Sequence, residues 1–187
     1  MKKKRFVLTN IIYILLTLAD LGITYYVSPD LSMEDNFVVK NLGFGWGMLL
    51  LIAVASIVIM FTVSYYDCFK YKTVYIKNCK YTEYYSLICF DRPDRFWSGV
   101  LPKHIKPEIA VSGFSLPWTM SFYRLWCICE WGIIDLKIEN IFPYCILRIE
   151  YLAEMLSVII AVCLYYLWFY IEYKNSVKSK IDSIYRN

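Results

Sequence analysis

Four ionisable side chains, Asp20, Arg124, Glu130 and Glu154, lie inside long apolar stretches of this chain. A charge near the centre of a hydrocarbon layer costs about 2.5–3.5 kcal/mol on an insertion scale, so such residues either fasten helices together or carry function. Asp20 precedes the end of its run at Val27 by seven residues, Glu130 precedes Leu136 by six, and Glu154 follows Arg148 by six. At 1.5 Å per helical residue each carboxylate falls roughly 10 Å below the same surface. Three carboxylates at one depth stay ionised only if a cation, a proton or an arginine compensates them. Arg124 is about one and a half turns deeper than Glu130, and its long side chain can reach that layer. The same residues therefore support two chemistries: ion pairs that hold helices together, or a proton- or cation-binding site on a permeation path. In the first run Asn10, Tyr13, Thr17, Asp20 and Thr24 recur at spacings of 3, 4, 3 and 4, which places their hydrogen-bonding groups on one stripe of a helix. That stripe must face protein or water.

Catalytic signatures are lacking in the sequence. There is no H-E-x-x-H, and the lone histidine, His104, lies outside the apolar runs, so no catalytic residue is expected. Cys127 and Cys129 form a C-x-C pair inside an apolar run, where thiols pack more often than they ligate; no metal and no cofactor are expected. Cys68, Cys79 and Cys89 fall in a segment assigned to the reducing side of the membrane, which argues against a disulfide framework. The basic residues flank apolar runs and form no nucleic-acid module, so no nucleic-acid partner is expected. Glu34, Asp35 and Asn36, between the first two runs, read as solvated surface in preference to a mouth for cations above the carboxylates, and Asn36 can also cap or turn the chain. The cluster Asp91-Arg92-Pro93-Asp94-Arg95 reads as a solvated turn with local ion pairs.

The elements that must position these residues follow from hydropathy. Of 187 residues, 59% are hydrophobic and only 19% charged, and the apolar residues come in runs of about 20, the length that crosses a bilayer core. The runs are 6–27, 44–66, 114–136 and 148–173. The first follows M-K-K-K-R, but it is too long for a signal peptide and no small-x-small site follows, so it is read as a retained helix. The second is the most apolar, with small residues Ala53, Ala55 and Ser56 for close helix approach, and an entry through Gly43, Gly45 and Gly47 around Trp46. The third is the most polar, holding Arg124, Glu130 and Pro117. The fourth ends in aromatic residues from Tyr165 to Tyr173, read as an interfacial belt, followed by a short polar tail. Residues 67–112 form a loop in which tyrosines alternate with lysines, a composition suited to the headgroup layer, and Pro93, Gly99, Pro102 and Pro107 break regular structure before the third run. Lysine and arginine number sixteen in the two termini and this loop against two in the other connections, which places the termini and the loop in the cytoplasm.

The stretch Ala19-Asp20-Leu21-Gly22-Ile23-Thr24, then Met33-Glu34-Asp35-Asn36 and Gly43-Phe44-Gly45-Trp46-Gly47, resembles a group of small bacterial polytopic membrane proteins of unknown function. Their pattern is D-x-x-x-T in the first helix, E-x-N-P in the outer loop and a glycine-tryptophan entry to the second helix. Asp20, Thr24, Glu34 and Asn36 match it, and Phe37 stands where the pattern has proline. The resemblance implies a bacterial cytoplasmic (inner) membrane and transfers no activity. Taken together the sequence predicts an all-α integral membrane protein, a four-helix transmembrane bundle with an interfacial cytoplasmic loop, as a single domain over 1–187. Its partners are the lipid bilayer and either further copies of itself or another membrane protein. The favoured function is a non-enzymatic accessory or scaffold role; the alternative is a transporter or channel subunit that binds protons or cations at Asp20, Glu130 and Glu154.

Overall fold

A computed structural model describes residues 2–32, 45–76, 79–91, 102–135 and 151–184, with the side chains of 133–135 and 178–184 outside the description. Among the described residues the chain is all-helical: α1 (Lys2–Val27), α2 (Trp46–Tyr65) continued by a π turn (Tyr66–Lys70), α3 (Tyr81–Phe90), α4 (Ile105–Asp135) and α5 (Leu152–Ile184). Three helical segments among the described residues are long and apolar enough to cross a membrane: Lys2–Val27, Trp46–Lys70 and Leu152–Val177.

Those three helices are built inside out relative to a water-soluble bundle. On α1 the buried residues are Thr9, Asn10, Tyr13, Thr17, Asp20 and Thr24, so the polar stripe is the packed face. The opposite face exposes Leu8, Ile11, Leu15 and Leu18. On α2 Leu51, Val54 and Val58 are exposed while Ser64 is buried, and on α5 Met155, Val158 and Ile159 are exposed while Glu172 and Ser176 are buried. Water penalises such an arrangement on both faces, by exposing a continuous apolar surface and by burying polar groups; hydrocarbon accepts the first and demands the second.

The most polar helix, α4, is the hub, packed against α1, α2, the π turn, α3 and α5. Its apolar character is too low for it to rank with the three membrane-length candidates, and the packing supplies the reason. A helix surrounded by other helices meets side chains rather than lipid, so serines, threonines and charges on it can find partners. Ser115 Oγ donates to Val111 O at 2.9 Å and Thr119 Oγ1 to Ser115 O at 3.0 Å, bracketing Pro117, which has no N–H to continue the helical ladder. Gly113 permits the closest approach: a Cβ there would stand 2.0 Å from the carbonyl oxygen of Val63 and 2.9 Å from Asp67 Cβ. At Gly45 and Gly47 an added Cβ would meet nothing within 4 Å and Gly45 has φ −85°, so the entry to α2 does not require glycine there. Trp46 is anchored instead by its indole N–H, which donates to Pro29 O at 2.7 Å, and by an edge contact with Tyr25.

Within 67–112, whose secondary structure the sequence leaves open, the described residues include helix at 67–70, 81–90 and from 105 onward. The second run continues through the π turn to Lys70, α3 forms with Glu83 accepting from the Lys80 backbone N–H at 2.9 Å, and α4 begins at Ile105 rather than 114. Pro107 falls in the first turn of α4, where its missing N–H costs no ladder bond. The expected headgroup layer of tyrosines is only partly that. Tyr71 and Tyr84 are buried with Trp168 and Phe169 in a core shared by α3, α4 and α5, while Tyr75, Tyr166 and Tyr170 stay exposed. Rings from α3 and α5 meet edge to face, Tyr85 with Phe169 at 4.8 Å and Tyr84 with Tyr173 at 5.7 Å. α5 also extends past the expected end at 173 to Ile184.

Candidate functional site

α1 and α4 bring Asp20 and Arg124 together. Arg124 Nη1 donates to Asp20 Oδ2 in an ion pair whose side chains are 22% and 9% exposed. Helical rise puts the pair roughly 10 Å from the end of α1 at Val27. The rest of the α1 stripe is tied down by neutral bonds. Asn10 Nδ2 donates to Ser64 Oγ at 2.9 Å, Tyr13 O–H donates to Ser56 Oγ at 3.0 Å, and Thr17 Oγ1 back-bonds to Tyr13 O at 2.8 Å. Thr24 is buried on the same face, one helical turn beyond Asp20.

The other two carboxylates of the expected layer lie by the same stretch of α4: Glu154 interacts electrostatically with Tyr123 and Glu130 with Cys127, and both of those side chains also feel Arg124. Glu154 is exposed near the start of α5, and Glu130 is half-buried near the far end of α4. The carboxylate bonded to Arg124 is the one on α1. Glu34 and Asn36 of the outer loop lie outside the described residues, as does the 92–95 part of the acidic–basic cluster.

A second buried ion pair closes the opposite end of the bundle. Arg5 Nη2 donates to Asp67 Oδ2, the Trp168 indole N–H donates to Asp67 Oδ1 at 3.0 Å, and the Arg5 guanidinium also lies 5.0 Å from the Phe114 ring centroid. Asp67 is 1% exposed. Four elements meet at this carboxylate: α1, the π turn, α4 and α5. In the sequence alone Arg5 reads as a topology signal and Asp67 as the start of a loop. A lone acid at the foot of a span is the only local hint, and the partners lie 62 and 101 positions away.

Beyond it, Glu108 accepts from the Tyr165 hydroxyl at 3.0 Å and from Cys89 Sγ at 3.5 Å, and Tyr165 meets the Tyr85 hydroxyl at 3.3 Å. Burial, reinforced by the nearby Glu108 carboxylate, pushes the Cys89 thiol up, so it stays protonated at neutral pH. Burial likewise raises Tyr71 and Tyr84. Glu172 on α5 is 3% exposed, with one carboxylate oxygen unbonded among the described residues. At the surface, Asp91 caps α3 in the left-handed conformation, φ 57°. Its carboxylate accepts from Lys103 at 2.7 Å and meets His104 at 2.8 Å, and these bonds hold it below the ordinary aspartate value. The lone histidine is therefore engaged in a surface contact.

Among the described residues no three His, Cys, Asp or Glu side chains stand close enough to hold a metal ion, and Cys127 and Cys129 are free thiols. Comparison with known protein families, curated proteins and solved structures finds no match to this chain.

Proposed function

We propose that this chain is a four-span membrane protein with a non-enzymatic accessory or scaffold role, its buried charges serving as helix fasteners. The observation that carries this reading is the Asp20–Arg124 pair, in which the intramembrane cation is occupied by the carboxylate that a transport site would need. The Arg5–Asp67–Trp168 junction supports it in the same way, since two donors from distant segments meet at one buried carboxylate. α4 is the fourth span in this reading, with Arg124 bonded to α1 and Glu108 to α5. The lysine and arginine count supports cytoplasmic termini and a cytoplasmic α3 layer, and the likeness of the 19–47 region to small bacterial polytopic proteins supports a bacterial inner membrane. As a scaffold it acts through its lipid-facing surface, on further copies of itself or on another membrane protein.

The test is the melting temperature of the purified protein against pH 5–8 and against sodium, potassium, magnesium and calcium, in wild type and Asp20→Asn. A fastener gives a flat wild-type response and a destabilised variant. An ion- or pH-dependent shift that Asp20→Asn removes without lowering stability overturns the scaffold reading in favour of a proton- or cation-binding subunit.

A further inference from the structure

A cavity of about 910 Å³ opens beside the end of the π turn, between the 70–76 segment, α3 and the start of α4. Its walls are apolar, from Val74, Ile76, Leu87, Ile88 and Pro107. Around them stand Lys70, Lys72, Lys103 and Lys106, with His104. The one carboxylate lining it among the described residues is Asp91, already bonded to Lys103 and His104. Four lysines against one aspartate among the described lining residues leave a surplus of three positive charges. Among the described residues Lys70, Lys72 and Lys106 have no carboxylate partner, and all three side chains are exposed.

An apolar cleft with a cationic rim is complementary to a molecule that joins an anionic head to a hydrocarbon body. The cavity's place selects the source of that molecule. Lys70 ends the membrane-length segment Trp46–Lys70, so the cavity lies at the boundary where that helix leaves the apolar layer. The residues beside it face outward as lipid-contacting residues do: Ile105 is 68% exposed and Val74 43%, next to the exposed rings of Phe69 and Tyr75. Water alone around Ile105 would gain nothing from such exposure; an acyl chain would cover it. We infer that this cavity binds an anionic membrane phospholipid, its phosphate among Lys70, Lys72 and Lys106 and its acyl chain along the Val74–Ile105 side. The site rests on the membrane-protein reading above, and it would give the scaffold a preference for an anionic leaflet.

The test begins by reconstituting the full chain into phosphatidylcholine vesicles and floating them. Failure to float overturns the membrane reading itself, and with it this one. Lipid retention is then counted by native mass spectrometry after release from nanodiscs of phosphatidylcholine alone or mixed with phosphatidylglycerol. Each lysine near an anionic lipid surface strengthens binding about fivefold. The expected result is one retained phosphatidylglycerol, preferred over phosphatidylcholine, with the preference falling on the order of a hundredfold in Lys70→Gln/Lys72→Gln/Lys106→Gln. These side chains are exposed, and an unchanged melting temperature of the triple variant in pure phosphatidylcholine checks its folding; Lys72→Gln alone, with about a fivefold loss, serves if the triple variant fails that check. Equal retention of the two lipids, or a phosphatidylglycerol preference undiminished in the variants, overturns the site. So does full competition by millimolar inorganic phosphate or glycerol phosphate, which would make the ligand a soluble anion.

Discussion

Removing Arg124 tests whether a buried pair organises the bundle. In Arg124→Leu the Asp20 carboxylate, 9% exposed, keeps its desolvated site and loses its cation. Breaking one partner of a buried pair costs about 3–5 kcal/mol, whereas replacing both with neutral groups is often close to neutral. Total stabilities are about 5–15 kcal/mol, so the single substitution removes a large share, and at about 2–4 °C per kcal/mol for a chain of this size the melting temperature drops on the order of 10 °C. Asp20→Asn/Arg124→Leu should recover most of that loss, because Asn remains on a stripe already lined with neutral hydrogen-bonding groups. Fluorescence-detected size exclusion after a heating series reads both variants in one detergent. The reasoning is refuted if the single variant melts within about 2 °C of wild type, less than about 1 kcal/mol, or if the double variant melts no higher than the single. Glu130→Gln or Glu154→Gln rescuing Arg124→Leu better than Asp20→Asn would refute it as well.

Three further outcomes are expected. Gly113→Ala must move α4 away from the Val63 carbonyl, costing about 1–3 kcal/mol in the same melting assay, while Gly45→Ala and Gly47→Ala, with open space around them, stay within about 0.5 kcal/mol. The Cys89 thiol is raised in the folded state by burial and by Glu108, so its contribution is complete below the unfolded thiol value of about 8.5 and is lost as pH rises above it. Between pH 8 and 10 wild type should therefore lose stability more steeply than Cys89→Ala, and equal slopes count against the assignment. Single-cysteine labelling from outside intact cells should reach position 34 or 140 and not 78 or 180; labelling at 78 overturns the charge-count topology.

The sequence alone determined the helical class and the three apolar helices, because run length and hydropathy are local properties set by the thickness of a bilayer core. It also determined which face of α1 is packed. The 3, 4, 3, 4 spacing from Asn10 to Thr24 is helical periodicity, and polar groups on an otherwise apolar helix have to turn inward. Tertiary structure decided the pairings. Depth arithmetic placed Asp20, Glu130 and Glu154 in one layer, but a one-dimensional depth carries no rotation about each helix axis, and packing of α1 on α4 selected Asp20 for Arg124. Nothing local foretold that Arg5 crosses to Asp67 or that Trp168 completes the junction, since those partners are brought together only when four elements converge. The tyrosine-rich segment stayed open in the sequence for a related reason. Its composition suits both a headgroup layer and a packed core, and only the meeting of α3 with α4 and α5 buried Tyr71 and Tyr84 while leaving Tyr75, Lys70, Lys72 and Lys80 at the surface.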